Sequence, residues 1–259
     1  MNFDKIRDKD FSLVLSGGGA LGIAHLGVLA NLEKEGIKPK EIIGTSMGGI
    51  IGACMAIDMN EKEIHKQIKK FAGVSSWMKF SFSGNAIVDT EKIAKIFDNI
   101  FQDKKMKDVS TPLKIIITNL QNGHKRVFSS YDDIYIKDAV LATMAIPGIF
   151  KEHVIEGKIY GDGFLCENLG INEASFDEVL AVDVLGENSF EKNMPDNFFK
   201  AANVLEMFEK SMRLLIYNQT QTHIRNSKKN IYLIEPNTKA YKTYHFDKVN
   251  ELRALGADS

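Results

Sequence analysis

Two short β-rich runs, each ending in a turn that opens directly into an apolar helical pattern, constrain this chain more than any other feature. Phe11-Ser12-Leu13-Val14-Leu15 runs into Ser16-Gly17-Gly18-Gly19, and Ala20 to Glu35 follows with Leu21, Ala24, Val28, Leu29 and Leu32 at helical spacings. Glu41-Ile42-Ile43-Gly44 then turns through Thr45-Ser46-Met47 into a buried helix from Gly48 to Ile57. Strand, helix, strand, helix with connections this short predicts an α/β fold on a parallel sheet with right-handed crossovers.

The same reading continues along the chain. Helices are expected from about 61 to 71 (capped by Asn60), 89 to 101, 136 to 144, 198 to 225 and 246 to 255. Strands are expected over 113–119, 179–184 and 231–234, with two short ones about Gly157 between 154 and 160. Residues 125–129 read as a hairpin partner or neighbour of 113–119. The stretch 73–88 is irregular and holds Trp77, Phe80 and Phe82. No repeat and no Gly/Ser/Pro-rich linker divides the chain, so residues 1–259 are expected to form one domain, with its motif-bearing core at about 11–183.

Composition removes several function classes. With 44% hydrophobic and 26% charged residues, the chain is neither disordered nor fibrous. Lys+Arg 33 against Asp+Glu 34 gives no basic field for nucleic acid. Cys54 and Cys166 are too few for a disulfide scaffold and fit a reducing cytosol. The charged opening from Met1 to Asp10 lacks a signal peptide's apolar region. The longest apolar stretch, 42–57, falls short of the ~20 residues of a spanning helix. A cytoplasmic protein is the expectation.

Three turns carry candidate chemistry. Gly17-Gly18-Gly19-Ala20-Leu21-Gly22 matches G-x-G-x-x-G between a strand and a helix, and could bind a pyrophosphate, stabilise an oxyanion or simply pack tightly. Gly44-Thr45-Ser46-Met47-Gly48 is G-x-S-x-G at a strand-to-helix turn, the setting a nucleophile elbow requires; the alternative is a serine helix cap. A dinucleotide site wants an acid at the end of the following strand, and that place holds Gly44-Thr45-Ser46. Glycine amides and a serine on adjacent turns suit acyl transfer instead. The histidines His25, His65, His124, His153, His223 and His245 all read as surface or packing residues. Asp162, in Tyr160-Gly161-Asp162-Gly163, is the better base candidate, although Asp-Gly alone is usually a β-turn.

Taken together and in this order, the three turns resemble those of the patatin-like lipid acyl hydrolases, as does Thr143-Met144-Ala145-Ile146-Pro147-Gly148-Ile149-Phe150. The resemblance implies a three-layer α/β/α fold and a Ser–Asp dyad of Ser46 and Asp162. It assigns an oxyanion hole to Gly17, Gly18 and Gly19, with Gly22, Gly44, Gly48 and Gly163 supporting the turns. It further implies cleavage of fatty-acyl esters of phospholipids or related lipids through an acyl-enzyme, with no cofactor and no metal. Long acyl chains prefer membranes to water, so Trp77, Met78, Phe80 and Phe82, with the lysines 62, 66, 69 and 70 before them, are the candidate contact of a peripheral protein with a membrane surface; the alternation of Phe80 and Phe82 with Ser81 and Ser83 equally fits a strand with one face in the core. Three departures stand out: Leu21 where the family often has Arg or Lys, Phe164 where it commonly has Gly or Ala, and Thr143 for Ser. A thioesterase or transacylase on the same dyad, or a non-catalytic lipid-binding domain, are the alternatives.

Overall fold

The computed structural model describes residues 3–75, 90–190 and 201–259. The aromatic contact proposed at Trp77, Met78, Phe80 and Phe82 and the expected helix start at Phe198 lie outside these residues.

Eight strands form one sheet: β1 (Phe11–Leu15), β2 (Glu41–Thr45), β3 (Leu113–Asn119), β4 (Lys125–Phe128), β5 (His153–Ile155), β6 (Lys158–Asp162), β7 (Glu178–Val182) and β8 (Asn230–Ile234). They follow the order β5-β6-β3-β2-β1-β7-β8, with β4 also paired to β3. The pairs β1–β2, β1–β7, β2–β3 and β7–β8 are parallel. The pairs β3–β4, β3–β6 and β5–β6 are antiparallel. Glu156 and Gly157, both at positive φ, turn β5 into β6, as a two-residue hairpin requires.

The helices are α1 (His25–Lys34), α2 (Met47–Ala56), α3 (Glu61–Ser75), α4 (Thr90–Phe101), α5 (Ile136–Thr143), α6 (Ala201–Asn226) and α7 (Val249–Ala257). Their layering follows from the two-residue period of the strands. Leu13, Leu15, Ile42, Ile115, Ile117, Leu180 and Val182 point into one core, against apolar residues of α1 to α5 and α7 and Ile216 of α6. The alternating Val14, Ile43, Ile116, Val179 and Ala181 point into the other, against Leu169, Ile171, Ala174 and Ile224 of α6. The α/β/α layers are thus unequal, with α6 and the 169–174 segment covering the second face.

Local chemistry sets the helix starts. Asn60 and Glu63 exchange side-chain and backbone hydrogen bonds of 3.1 and 2.9 Å, a capping box that opens α3. Along α4, Ile93, Phe97 and Phe101 recur on one face and are fully buried. The first expected helix is the exception. Gly19–Ala24 is a 3₁₀ segment, and α-helical geometry begins only at His25. The segment is pinned from outside: Ala20 N–H donates to the Thr243 carbonyl at 2.8 Å, and Gly19 holds φ +55°. A Cβ on Gly22 would lie 2.6 Å from Met47 Cβ, so this segment sits directly against the start of α2.

Candidate active site

Strand register brings the second and third turns together. Ile115 and Ile116 pair with both β2 and β4, and Ile117 and Thr118 pair with both β4 and β6. A strand has two edges, so β4 takes one edge of β3 while β2 and β6 share the other. β2 ends with Thr45 opposite Ile116, and β6, running the other way, ends with Asp162 opposite Ile117. Ser46 and Asp162 therefore emerge at adjoining positions, though far apart in sequence.

Ser46 occupies φ 51°, ψ −124°, a conformation costly to a side-chain-bearing residue, with a strain of about 1–3 kcal/mol. Its side chain makes no helix-capping hydrogen bond, so the serine-cap alternative fails. The flanking glycines are required sterically. A Cβ on Gly44 would meet the Gly48 carbonyl oxygen at 2.6 Å, and one on Gly48 would meet the Leu15 carbonyl oxygen at 2.3 Å. Gly48→Ala is accordingly expected to destabilise the fold by roughly 1–3 kcal/mol or more, since backbone rather than a yielding side chain stands in the way. A thermal melt matching the unsubstituted protein would refute that.

The remaining contacts hold Ser46 and Asp162 in place. The Thr143 hydroxyl accepts the Ser46 N–H at 2.9 Å and donates to the Ile116 carbonyl at 2.6 Å, tying elbow, α5 and β3 together. Asp162 donates its N–H to the Ala145 carbonyl at 2.9 Å, and its own carbonyl accepts the Thr118 hydroxyl at 2.9 Å. Asp162 Oδ1 accepts the Phe164 N–H at 3.0 Å. Phe164 thus anchors the carboxylate by its backbone while its side chain lines the cavity. A Cβ on Gly163 would meet the Ile116 carbonyl oxygen at 2.3 Å, so no larger residue fits over the β2–β3 junction.

Asp162 is fully buried, and Oδ2 has no hydrogen bond of normal geometry among the described residues. Burial pushes its pKa up to about 7, opposed by the neighbouring Ser46 hydroxyl and the Phe164 N–H. A carboxylate short of partners and ionising near neutrality has the properties of a general base.

The glycine turn closes the other side. A Cβ on Gly17 would lie 3.1 Å from Ser46 Cβ and 2.6 Å from Asn168 Oδ1. Gly17 N–H already donates to the Asn168 carbonyl at 3.3 Å, so it is not free for a substrate. Gly18 and Gly19 instead line the cavity beside Ser46, Met47 and Asp162. That cavity measures about 430 Å³, and its walls are largely apolar, Ile50, Phe71 and Met144 among them. Two supports complete the site, and of these the sequence singles out only Thr143. Asn168 braces the glycine turn with two backbone-directed hydrogen bonds, and Thr143 joins three elements through one hydroxyl. Thr143 stood in a quoted motif, but nothing local marks Asn168.

The family model for patatin-like phospholipases matches residues 13–175. The chain belongs to the patatin-like phospholipase family. Curated relatives include lysophospholipase NTE1 of Kluyveromyces lactis, 29% identical over 94% of this chain and 18% of that protein. Lysophospholipase nte1 of Aspergillus fumigatus is 31% identical over 71% of this chain and 12% of its own length. This patatin-like chain thus spans less than a fifth of either relative. Among solved structures, VipD from Legionella pneumophila overlays 95% of this chain and 67% of its own, at 15% identity and a TM-score of 0.49.

No histidine lines the cavity among the described residues. His25 is buried against the Ser16 carbonyl at 2.8 Å, His153 lies 3.1 Å from Asp138, and His223 lies 3.4 Å from Glu167. Among the described residues there is also no group of three potential metal ligands, and no helix long and apolar enough to cross a membrane.

Proposed function

We propose that this chain, as one patatin-like domain, is a serine acyl hydrolase cleaving fatty-acyl esters of phospholipids or related lipids. The observation that carries the reading is the meeting of a strained, uncapped serine with a buried, under-bonded carboxylate in one apolar cavity. The Asp162 carboxylate takes the Ser46 proton as Oγ attacks the ester carbonyl. The resulting oxyanion is met by the Gly18 and Gly19 amides and by the positive end of α2. The alkoxide leaves with the proton from Asp162; a water deprotonated by the same carboxylate then attacks the acyl-enzyme, the Ser46 Oγ–acyl bond breaks as Asp162 returns the proton to Oγ, and the fatty acid is released. A fluorophosphonate probe tests this directly: Ser46 is expected to be the labelled residue, and an unlabelled folded protein would sink the reading.

Access for lipid is supported by exposed apolar residues at the cavity rim. Phe208 is 63% exposed and lines the cavity, Leu165 is 39% exposed beside Asp162, and Leu215, 64% exposed, stands two helical turns beyond Phe208 on the same side of α6. This face continues the apolar cavity wall outward, which suits a lipid surface as its occupant. Leu215→Asp is expected to cut hydrolysis of vesicle lipid about tenfold or more, yet leave a soluble short-chain ester within twofold. Equal losses on both substrates would remove the lipid-surface role.

A further inference from the structure

One charged residue in the cavity wall is unused by the chemistry above. Arg213, on α6, is 5% exposed and is the sole Lys or Arg among the described residues lining the cavity that holds Ser46. Its guanidinium is held in place from several sides. Nη2 donates to the Ser189 carbonyl, Nη1 reaches Glu209 Oε1 at 3.4 Å, and the group sits 5.7 Å from the centre of the Phe190 ring. Nε is buried with no hydrogen-bond partner among the described residues. Glu209 Oε1 is itself divided, since it also faces the Thr243 N–H at 3.4 Å and hydroxyl at 3.3 Å. A buried cation with one long, shared counter-ion and an orphan donor is under-compensated, which is costly unless another anion completes it. The glycine turn offers no alternative cation, because Leu21 is apolar and fully buried.

We propose that Arg213 determines substrate specificity by receiving the phosphate of a lipid headgroup while the ester lies at Ser46. The inference rests on the acyl-hydrolase reading. A planar guanidinium suits this task because its parallel N–H donors match two oxygens of a phosphodiester, and clamping by Glu209 and Ser189 lowers the entropy lost on binding. An apolar cavity around the ion pair excludes competing water and strengthens it.

The test compares a lysophospholipid with a monoacylglycerol of the same acyl chain, both in the same neutral-detergent micelles. The unsubstituted protein is expected to prefer the phosphate-bearing lipid by tenfold or more in kcat/KM. Arg213→Met should erase most of that preference, chiefly through KM, and Arg213→Lys should retain part of it. Fluorophosphonate labelling of Ser46 reports whether each variant is folded; if Arg213→Met is not, the parent's preference and the Lys variant decide. A parent without preference, or a folded Met variant that loses both substrates equally, overturns the proposal and leaves Arg213 as a structural clamp. Inhibition of monoacylglycerol cleavage by inorganic phosphate, with no preference for the lysophospholipid, would assign the site to free phosphate and also overturn it. Hydrolysis of neither lipid by the parent would instead overturn the acyl-hydrolase reading itself.

Discussion

Ser46→Ala is expected to lower ester hydrolysis by about 10⁴–10⁶-fold while leaving the fold intact, since a covalent step is lost with a single oxygen. The structure adds a stability ordering that a purely catalytic argument does not contain. At φ 51°, ψ −124°, alanine inherits the strain that serine bears, whereas glycine does not. Ser46→Gly should therefore be equally inactive and yet more stable than Ser46→Ala by roughly 1 kcal/mol, once glycine's greater freedom in the unfolded chain is set against the relief. Paired denaturant titrations measure this. If alanine proved the more stable, the strain at the elbow would be absent. Retention of most turnover in either variant would remove Ser46 as nucleophile.

Asp162→Asn is expected to cost about 10²–10⁴-fold in kcat/KM, the range for loss of a general base. His153→Asn, His223→Asn and His245→Asn, made singly, should each keep most activity, and a histidine variant as impaired as Asp162→Asn would restore a triad. Burial raises the Asp162 pKa to about 7, so kcat/KM in the parent should climb with pH through an inflection near neutrality. Stability should move the opposite way. An unfolded aspartate ionises near ~3.9, so between that value and about 7 the folded protein keeps a proton that the unfolded chain has released. Raising pH through this window removes stability. Burial also raises Asp183 to about 7, so it contributes in the same direction. The melting temperature is therefore expected to fall from pH 5 to pH 8, and Asp162→Asn should flatten part of that fall. A parent whose melting temperature rises across the window would contradict the burial cost at both carboxyls. Activity and stability then pull apart at one group, as is common where a site needs a poorly solvated charge.

The elements themselves were legible because their causes are local. Alternating Leu13-Val14-Leu15 and Ile42-Ile43 carry the period of strands buried on both faces, and Asn60 with Glu63 marks the start of α3 in four residues. Gly44-Thr45-Ser46-Met47-Gly48 was readable for the same reason, since the steric demand of a tight strand-to-helix turn falls on residues two positions either side of the serine. The helix expected from Ala20 begins instead as a 3₁₀ segment, because Gly19–Ala24 is held by the distant Thr243 carbonyl and packed against Met47.

What the sequence alone determined, then, were strands, turns and the residue types able to perform acyl transfer. What only the tertiary structure decided was which of them meet. Asp162 faces Ser46 because β2 and β6 run head to head along one edge of β3, a register set by hydrogen bonds between strands far apart in the chain. Gly17 lost its candidate donor role to the Asn168 carbonyl, and Arg213 reached the cavity from α6 on the strength of burial alone. None of these has a local signature. Side-chain period and turn sterics act over a few residues, whereas strand register and the sharing of a buried donor or charge are settled only when distant segments close on one another.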